Sequence, residues 1–290
     1  MILSFNTIAF SPLPIWGNSY PLLECAKLLA AIGYSGIEII AGRPHAWPGD
    51  LGKGERKKLQ KEITNLGLKI VAVCPLIAPA YNPASLHAGE YKEAQDYLVQ
   101  CMRLAADLGS PYVISSAGWR VQGTSSDEAW KRSLETFHKA AEAGKKLGTT
   151  LLIEAVRKVS SNLLWNSHQA VKMMKELAHP QVKLMMDTFH VWSENENIEE
   201  VLRLYGDDLK HIHLEDISPL GTDRRVPGQG IENLEKLVAA LQEAGYDKAL
   251  SVELWGFNPE DIARSSFSYL NRLLSKNKFP SMKKRGQGDF

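Results

Sequence analysis

Cysteine is scarce in this chain. Its 290 residues hold three, Cys25, Cys74 and Cys101, widely spaced and without a CxxC. An odd number so placed excludes a disulfide scaffold and argues against a cysteine zinc site. Three reduced, buried thiols are expected. An excess of one charge is also missing: 34 Lys and Arg stand against 33 Asp and Glu, a formal net charge of +1. That balance gives no broad surface for nucleic acid or an acidic membrane. No apolar run reaches the roughly 20 residues that span a bilayer. The opening MILSFNTIAF has no basic stretch leading into a long apolar one, so no secretory signal is read, and a cytoplasmic home is expected.

Two further absences bear on function. No glycine-rich dinucleotide fingerprint follows the first apolar segment, and there is no P-loop. Nor does a Pro/Gly/Ser linker or a shift in composition divide the chain. One domain over residues 1–280 is therefore expected, with 281–290 (SMKKRGQGDF) as a polar tail. Hydrophobic residues at 44% and charged residues at 23% are enough for a sizeable core.

What is present is a rhythm. Short apolar runs over 2–7, 36–40, 68–74, 111–116, 149–154, 182–187, 209–214 and 249–254 predict strands. Amphipathic stretches over 21–32, 54–66, 90–108, 127–147, 167–177, 198–205, 231–244 and 259–274 predict the helices between and after them, with Ser125 or Ser126 capping the fourth. The strand runs do not alternate strictly, as suits a sheet covered by helices. Eight strand–helix units in this length predict an α/β fold of the (β/α)8 TIM barrel type, ahead of a doubly wound sheet.

Polar residues stand at the ends of four consecutive predicted strands. Glu154 ends TTLLIE, Asp187 ends VKLMMD, His213 sits late in LKHIHL, and Glu253 sits late in ALSVEL. A barrel gathers such groups at the C-terminal rim. Three crowded carboxylates repel one another unless a cation joins them, and with one imidazole they suit a divalent ion such as Mn²⁺, Mg²⁺ or Co²⁺. His190, in DTFH, falls in a loop from which it reaches a substrate hydroxyl. His211 shares the parity of His213 one layer deeper and reads as structural. Glu215 and Asp216 lie just past that strand, placed to orient His213 or to touch substrate. In DRRVPGQG, Arg224 or Arg225 leans over the mouth, with Arg157 and Lys158 adding positive charge nearby. Trp16, Trp47, Trp119, Trp192 and Trp255 fall in loops after strands, where an apolar wall stacks on a sugar.

At this point nearly the whole chain resembles the xylose-isomerase-like barrel superfamily, and within it the ketose 3-epimerases of the tagatose/psicose group. The carrying segments are IEAV, MMDTFH, HIHL, VELW and RRVPGQG. GRPHAWPGDL also resembles a fructoselysine 3-epimerase-like branch. The resemblance implies Glu154, Asp187, His213 and Glu253 as ligands of one divalent metal, Mn²⁺ foremost. It implies His190 and Arg224 as substrate contacts, and a homodimer or homotetramer; Glu215 and Trp119 join the expected substrate contacts from the reading of the residues themselves. In one respect the chain departs. The group carries a second glutamate six residues after the first metal ligand, and here Ser160 stands in that place.

The expected chemistry is epimerisation or isomerisation of a keto sugar through an enediolate, with Glu154 and Glu253 as the two bases. A lyase or dehydratase on a keto-sugar derivative, motivated by Ser160, is the alternative. A sugar-binding partner subunit is the non-enzymatic one. A multi-zinc endonuclease is disfavoured by the single ligand set.

Overall fold

Each predicted apolar run forms a strand, and the amphipathic stretches form the helices that return the chain to the next one. The computed structural model describes residues 1–12, 19–77 and 81–276; Trp16 and the tail 281–290 lie outside the described residues. The strands are β1 (Ile2–Phe5), β2 (Gly36–Ile40), β3 (Lys69–Cys74), β4 (Tyr112–Ser116), β5 (Thr150–Glu154), β6 (Val182–Asp187), β7 (Leu209–His213), β8 (Asp216–Ile217), β9 (Arg224–Arg225) and β10 (Ala249–Val252). The helices are α1 (Leu22–Ile32), α2 (Lys53–Asn65), α3 (Ala88–Leu108), α4 (Ser126–Leu147), α5 (Ser167–Leu177), α6 (Thr188–Ser193), α7 (Ile198–Tyr205), α8 (Leu234–Glu243) and α9 (Pro259–Lys276). Ser125 caps α4: its hydroxyl accepts from Glu128 N while the Glu128 carboxylate accepts from Ser125 N.

Eight strands pair in parallel in the order β1, β10, β7, β6, β5, β4, β3, β2. The sheet closes on itself where Asn6, just past β1, bridges Glu38 of β2. This is the expected (β/α)8 barrel. Cys25, Cys74 and Cys101 are free and buried.

The barrel interior has two halves. Ala72, Ile114, Leu152 and Met185, from β3 to β6, form a small apolar cluster of their own. Toward β7, β10, β1 and β2 the interior is polar: Ser4, Asn6, Glu38, His211, His213 and Ser251 are all fully buried there.

Two local features differ from expectation. The segment holding His190 is a short helix, α6, and not a loop. Six residues are too few to show a helical period, and the helix forms because Asp187 Oδ1 accepts from His190 N at 3.1 Å. Helix α8 starts at Leu234 and not at residue 231, since Asn233 caps it and the residues before are held elsewhere.

That holding is the work of Asp216. Its Oδ1 accepts from Ile217 N at 2.9 Å and Glu232 N at 3.1 Å, and its Oδ2 from Gly228 N at 3.1 Å and Gly230 N at 2.9 Å. The RRVPGQG loop is thereby wrapped around one carboxylate. β8 and β9 pair antiparallel, Ile217 opposite Arg224, and the register turns the Arg224 side chain inward and leaves Arg225 exposed. Gly230 has no room for a side chain, because a Cβ there would lie 2.2 Å from Asp216 Oδ1 and 2.4 Å from Ile217 O. Gly230→Ala should therefore cost about 1–3 kcal/mol in a denaturant titration, as overpacking does. Unchanged stability would show that the loop is not held by this contact.

Candidate metal centre

Strand ends deliver the four rim residues to one place. Glu154 is the last residue of β5, Asp187 of β6 and His213 of β7, and Glu253 follows β10 directly. β5, β6, β7 and β10 are neighbours in the sheet, so four successive strands each contribute one donor. One ligand atom from each of Glu154, Asp187, His213 and Glu253 lies within 4.8 Å of all the others. His213 Nδ1 sits at the centre, 3.4 Å from Glu253 Oε2, 3.6 Å from Glu154 Oε1 and 3.7 Å from Asp187 Oδ2. It is buried and makes no hydrogen bond. An orphaned imidazole nitrogen facing three carboxylate oxygens is a donor set that fits one divalent cation.

Arg224 supplies positive charge to the same space. Its Nη2 lies 2.7 Å from Asp187 Oδ2 and 3.0 Å from Glu253 Oε2, and its Nη1 3.0 Å from Glu215 Oε2. The guanidinium is held between two rings, 4.7 Å from the Phe189 centroid and 5.2 Å from that of Trp255. Nη2 also donates to His190 Nε2 at 3.3 Å, since a guanidinium only donates. His190 and Arg224 thus act as one hydrogen-bonded unit at the edge of the cluster.

Glu215 lies beneath Arg224 and away from the open mouth. It is fully buried, and its Oε1 accepts from Glu253 N at 2.9 Å. Glu215 N in turn donates to Thr188 Oγ1 at 3.1 Å, joining the ends of β6 and β7. Trp119 is half-buried on the rim beyond β4, where its backbone exchanges two hydrogen bonds with the Asn82 side chain. Arg157 donates to Thr222 O at 2.7 Å and packs on Phe189, while the Lys158 ammonium lies over Trp165. Trp47 stacks on Tyr97. Ser160 is exposed in the turn beyond β5.

Electrostatic surroundings separate the acids. Burial pushes Glu154 up to about 7, with the Glu253 and Asp187 charges adding and His213 opposing. Burial alone would raise Glu253 too, but His213 and Arg224 hold it below its ordinary value. Asp187, against the same burial, is held well below the carboxylate range by Arg224, His190 and His213. Burial and the Asp187 charge push Glu215 well up against the pull of Arg224. Burial and Arg224 bring His190 down to about 4, in keeping with a neutral ring that accepts from Arg224. The side chains of Glu154 and Glu253 keep 12% and 11% of their surface open, whereas Asp187 and His213 keep none. Those two glutamates are the members of the cluster that a molecule in the mouth can touch.

One participant was not foreseen. Glu38, inside the apolar-looking run GIEII, is fully buried and reaches across the interior to β7. Its Oε1 lies 2.9 Å from His213 Nε2 and its Oε2 2.7 Å from His211 Nε2. The signal was a charged residue in the middle of a strand otherwise made of isoleucine and glycine. His211 lies one layer deeper than His213 and faces Glu38, as its parity implied.

Comparisons with known proteins give the family and the fold. Residues 26–273 match the family profile described as "Xylose isomerase-like TIM barrel". Fructoselysine 3-epimerase of Escherichia coli O157:H7 is 24% identical over 261 residues, covering 89% of this chain and 95% of that protein. The structure of an L-ribulose 3-epimerase superposes with a TM-score of 0.80 at 19% identity, over 98% of this chain and 99% of that one. The IOLI protein, whose crystal structure holds a zinc atom, superposes with a TM-score of 0.79 at 22% identity, over 97% of this chain and all of that one. With the profile running from α1 into α9, this chain belongs to the xylose isomerase-like TIM barrel family.

Proposed function

We propose that this protein is a divalent-metal-dependent epimerase or isomerase acting on a keto sugar or a keto-sugar derivative. The observation that carries it is the unpartnered His213 Nδ1 surrounded by the Glu154, Asp187 and Glu253 carboxylates, with two of those carboxylates open to the mouth. The similarity to proteins named fructoselysine 3-epimerase and L-ribulose 3-epimerase supports a ketose-like substrate. Glu154, Asp187, His213 and Glu253 would hold the ion, and carboxylate-rich donor sets favour manganese or magnesium over softer metals. When bound, a divalent ion supplies Lewis-acid stabilisation to the oxygens of an enediolate.

The chain's own residues perform the proton transfers. Glu154 and Glu253 come from strands with two others, β6 and β7, between them, and approach from two sides. One glutamate takes the proton from the carbon next to the carbonyl, and the electron pair moves toward the carbonyl oxygen. The other glutamate delivers a proton to the opposite face, which inverts the centre without changing composition. Arg224 and His190 position the substrate oxygens. Glu215 acts through Arg224 and the Glu253 backbone.

A second reading follows from Ser160, which carries no carboxylate six residues after Glu154. The same enediolate expels a leaving group at the neighbouring carbon, so the enzyme becomes a lyase. Release of an aglycone or a dehydrated product without any epimer would favour that outcome.

Three results test these readings. Glu154→Gln or Glu253→Gln should slow deuterium uptake from D₂O into the substrate by about 10²–10⁴-fold, followed by NMR over ketoses, keto acids, sugar phosphates and 3-keto-glycosides; undiminished exchange would remove the two-base mechanism. Elemental analysis of protein purified without chelator should find about one divalent ion per chain, with activity lost on chelation and restored by Mn²⁺. Two or three zinc ions would argue for a different chemistry. The third concerns assembly. Val159, Leu220 and Phe257 stand more than four-fifths exposed on loops of the catalytic face, a surface a second copy would cover. Light scattering should therefore read a dimer or tetramer, and a monomer at micromolar concentration would contradict it.

A further inference from the structure

The ligand set is supported from below by a network that runs across the barrel. Asn6 Oδ1 accepts from Ile8 N at 2.9 Å, and a backbone N–H only donates, so the orientation of the Asn6 amide is fixed. Its Nδ2 therefore faces two carboxylates, Glu38 Oε1 at 2.7 Å and Glu253 Oε1 at 3.2 Å. Both oxygens must accept. Glu38 lies among the Asn6 amide donor and two imidazole nitrogens, His213 Nε2 at 2.9 Å and His211 Nε2 at 2.7 Å; as a carboxylate it accepts from each, with His213 Nε2 the donor to Oε1. With Nε2 bearing a proton, the nitrogen a cation would use is Nδ1, the atom that faces the three carboxylates.

We propose that Glu38 is a positioning residue for the metal centre. It sets the ring orientation of His213 and the protonated nitrogen directly, and the place of Glu253 through Asn6. This rests on the reading of Glu154, Asp187, His213 and Glu253 as one ion's ligands. Glu38 itself touches neither ion nor substrate. It is set one layer below, on β2, a strand that does not pair with β7 or β10. Carboxylates that accept from a ligating histidine typically change metal affinity by about 10–100-fold when removed.

The test is Mn²⁺ titration of the full chain after chelator treatment, followed by calorimetry. Glu38→Met keeps the length of the side chain and removes both acceptors, and should weaken Mn²⁺ binding by about 10–100-fold. Glu38→Gln retains one acceptor oxygen for His213 and should bind within a few-fold of wild type. A residue that mattered only for packing would not separate the two in this order. If the methionine variant does not fold, Glu38→Asp replaces it, which keeps the charge and draws the acceptors back from His213, with weakened Mn²⁺ binding expected at an unchanged far-ultraviolet circular dichroism spectrum. Wild-type affinity in folded Glu38→Met, or in Glu38→Asp where that stands in, overturns the role of Glu38. Failure of the wild-type chain itself to take up Mn²⁺ overturns the metal reading beneath it.

Discussion

Negative charge has to be buried in this barrel, and most of its interior follows from how that is tolerated. Glu38, Glu154, Asp187, Glu215 and Glu253 converge around one guanidinium and two imidazoles. Taking each ion out of water costs several kcal/mol even after relaxation. Arg224 offsets part of that by meeting three of the acids at 2.7–3.0 Å. A guanidinium suits the task better than an ammonium would, since its planar fork serves several oxygens and its faces pack on Phe189 and Trp255.

The two halves of the interior divide the labour. On the β3 to β6 side the apolar cluster of Ala72, Ile114, Leu152 and Met185 packs without polar atoms to satisfy. On the other side Asn6, Glu38, His211 and His213 are polar, and hydrogen bonds decide their positions. Such networks are exacting, because an unpaired buried group costs more than a made bond returns. The Asn6 to Glu38 bridge is also the place where the sheet closes, so barrel geometry and ligand geometry share two residues.

Much of this was legible in the sequence, and the exceptions have physical reasons. Glu154, Asp187, His213 and Glu253 could be read because strand ends are marked by where apolar runs stop. Strand parity also placed His211 beneath His213. The choice between Arg224 and Arg225 was open from the residues alone, because it depends on the register of a two-residue ribbon. Glu38 was hidden by its neighbours: four of the five residues in GIEII are apolar or glycine, and nothing in that run shows that an inward position faces two histidines on a distant strand. The depth of Glu215 was equally invisible, since two residues past a strand can lie on the rim or under it.

The loop wound around Asp216 has a consequence of its own. Anchor and cargo are encoded together: the carboxylate that gathers the loop and the arginine it delivers lie eight positions apart, within one connection between β7 and α8. Residues 214–232 therefore constitute a portable cassette. An exchange of this stretch between related barrels would carry the anchor with the arginine, and what the recipient must provide is Asp187, Glu253 and a ring on which the guanidinium can rest, together with the Thr188, Ser193, Ser251 and Arg157 groups that the stretch bonds to.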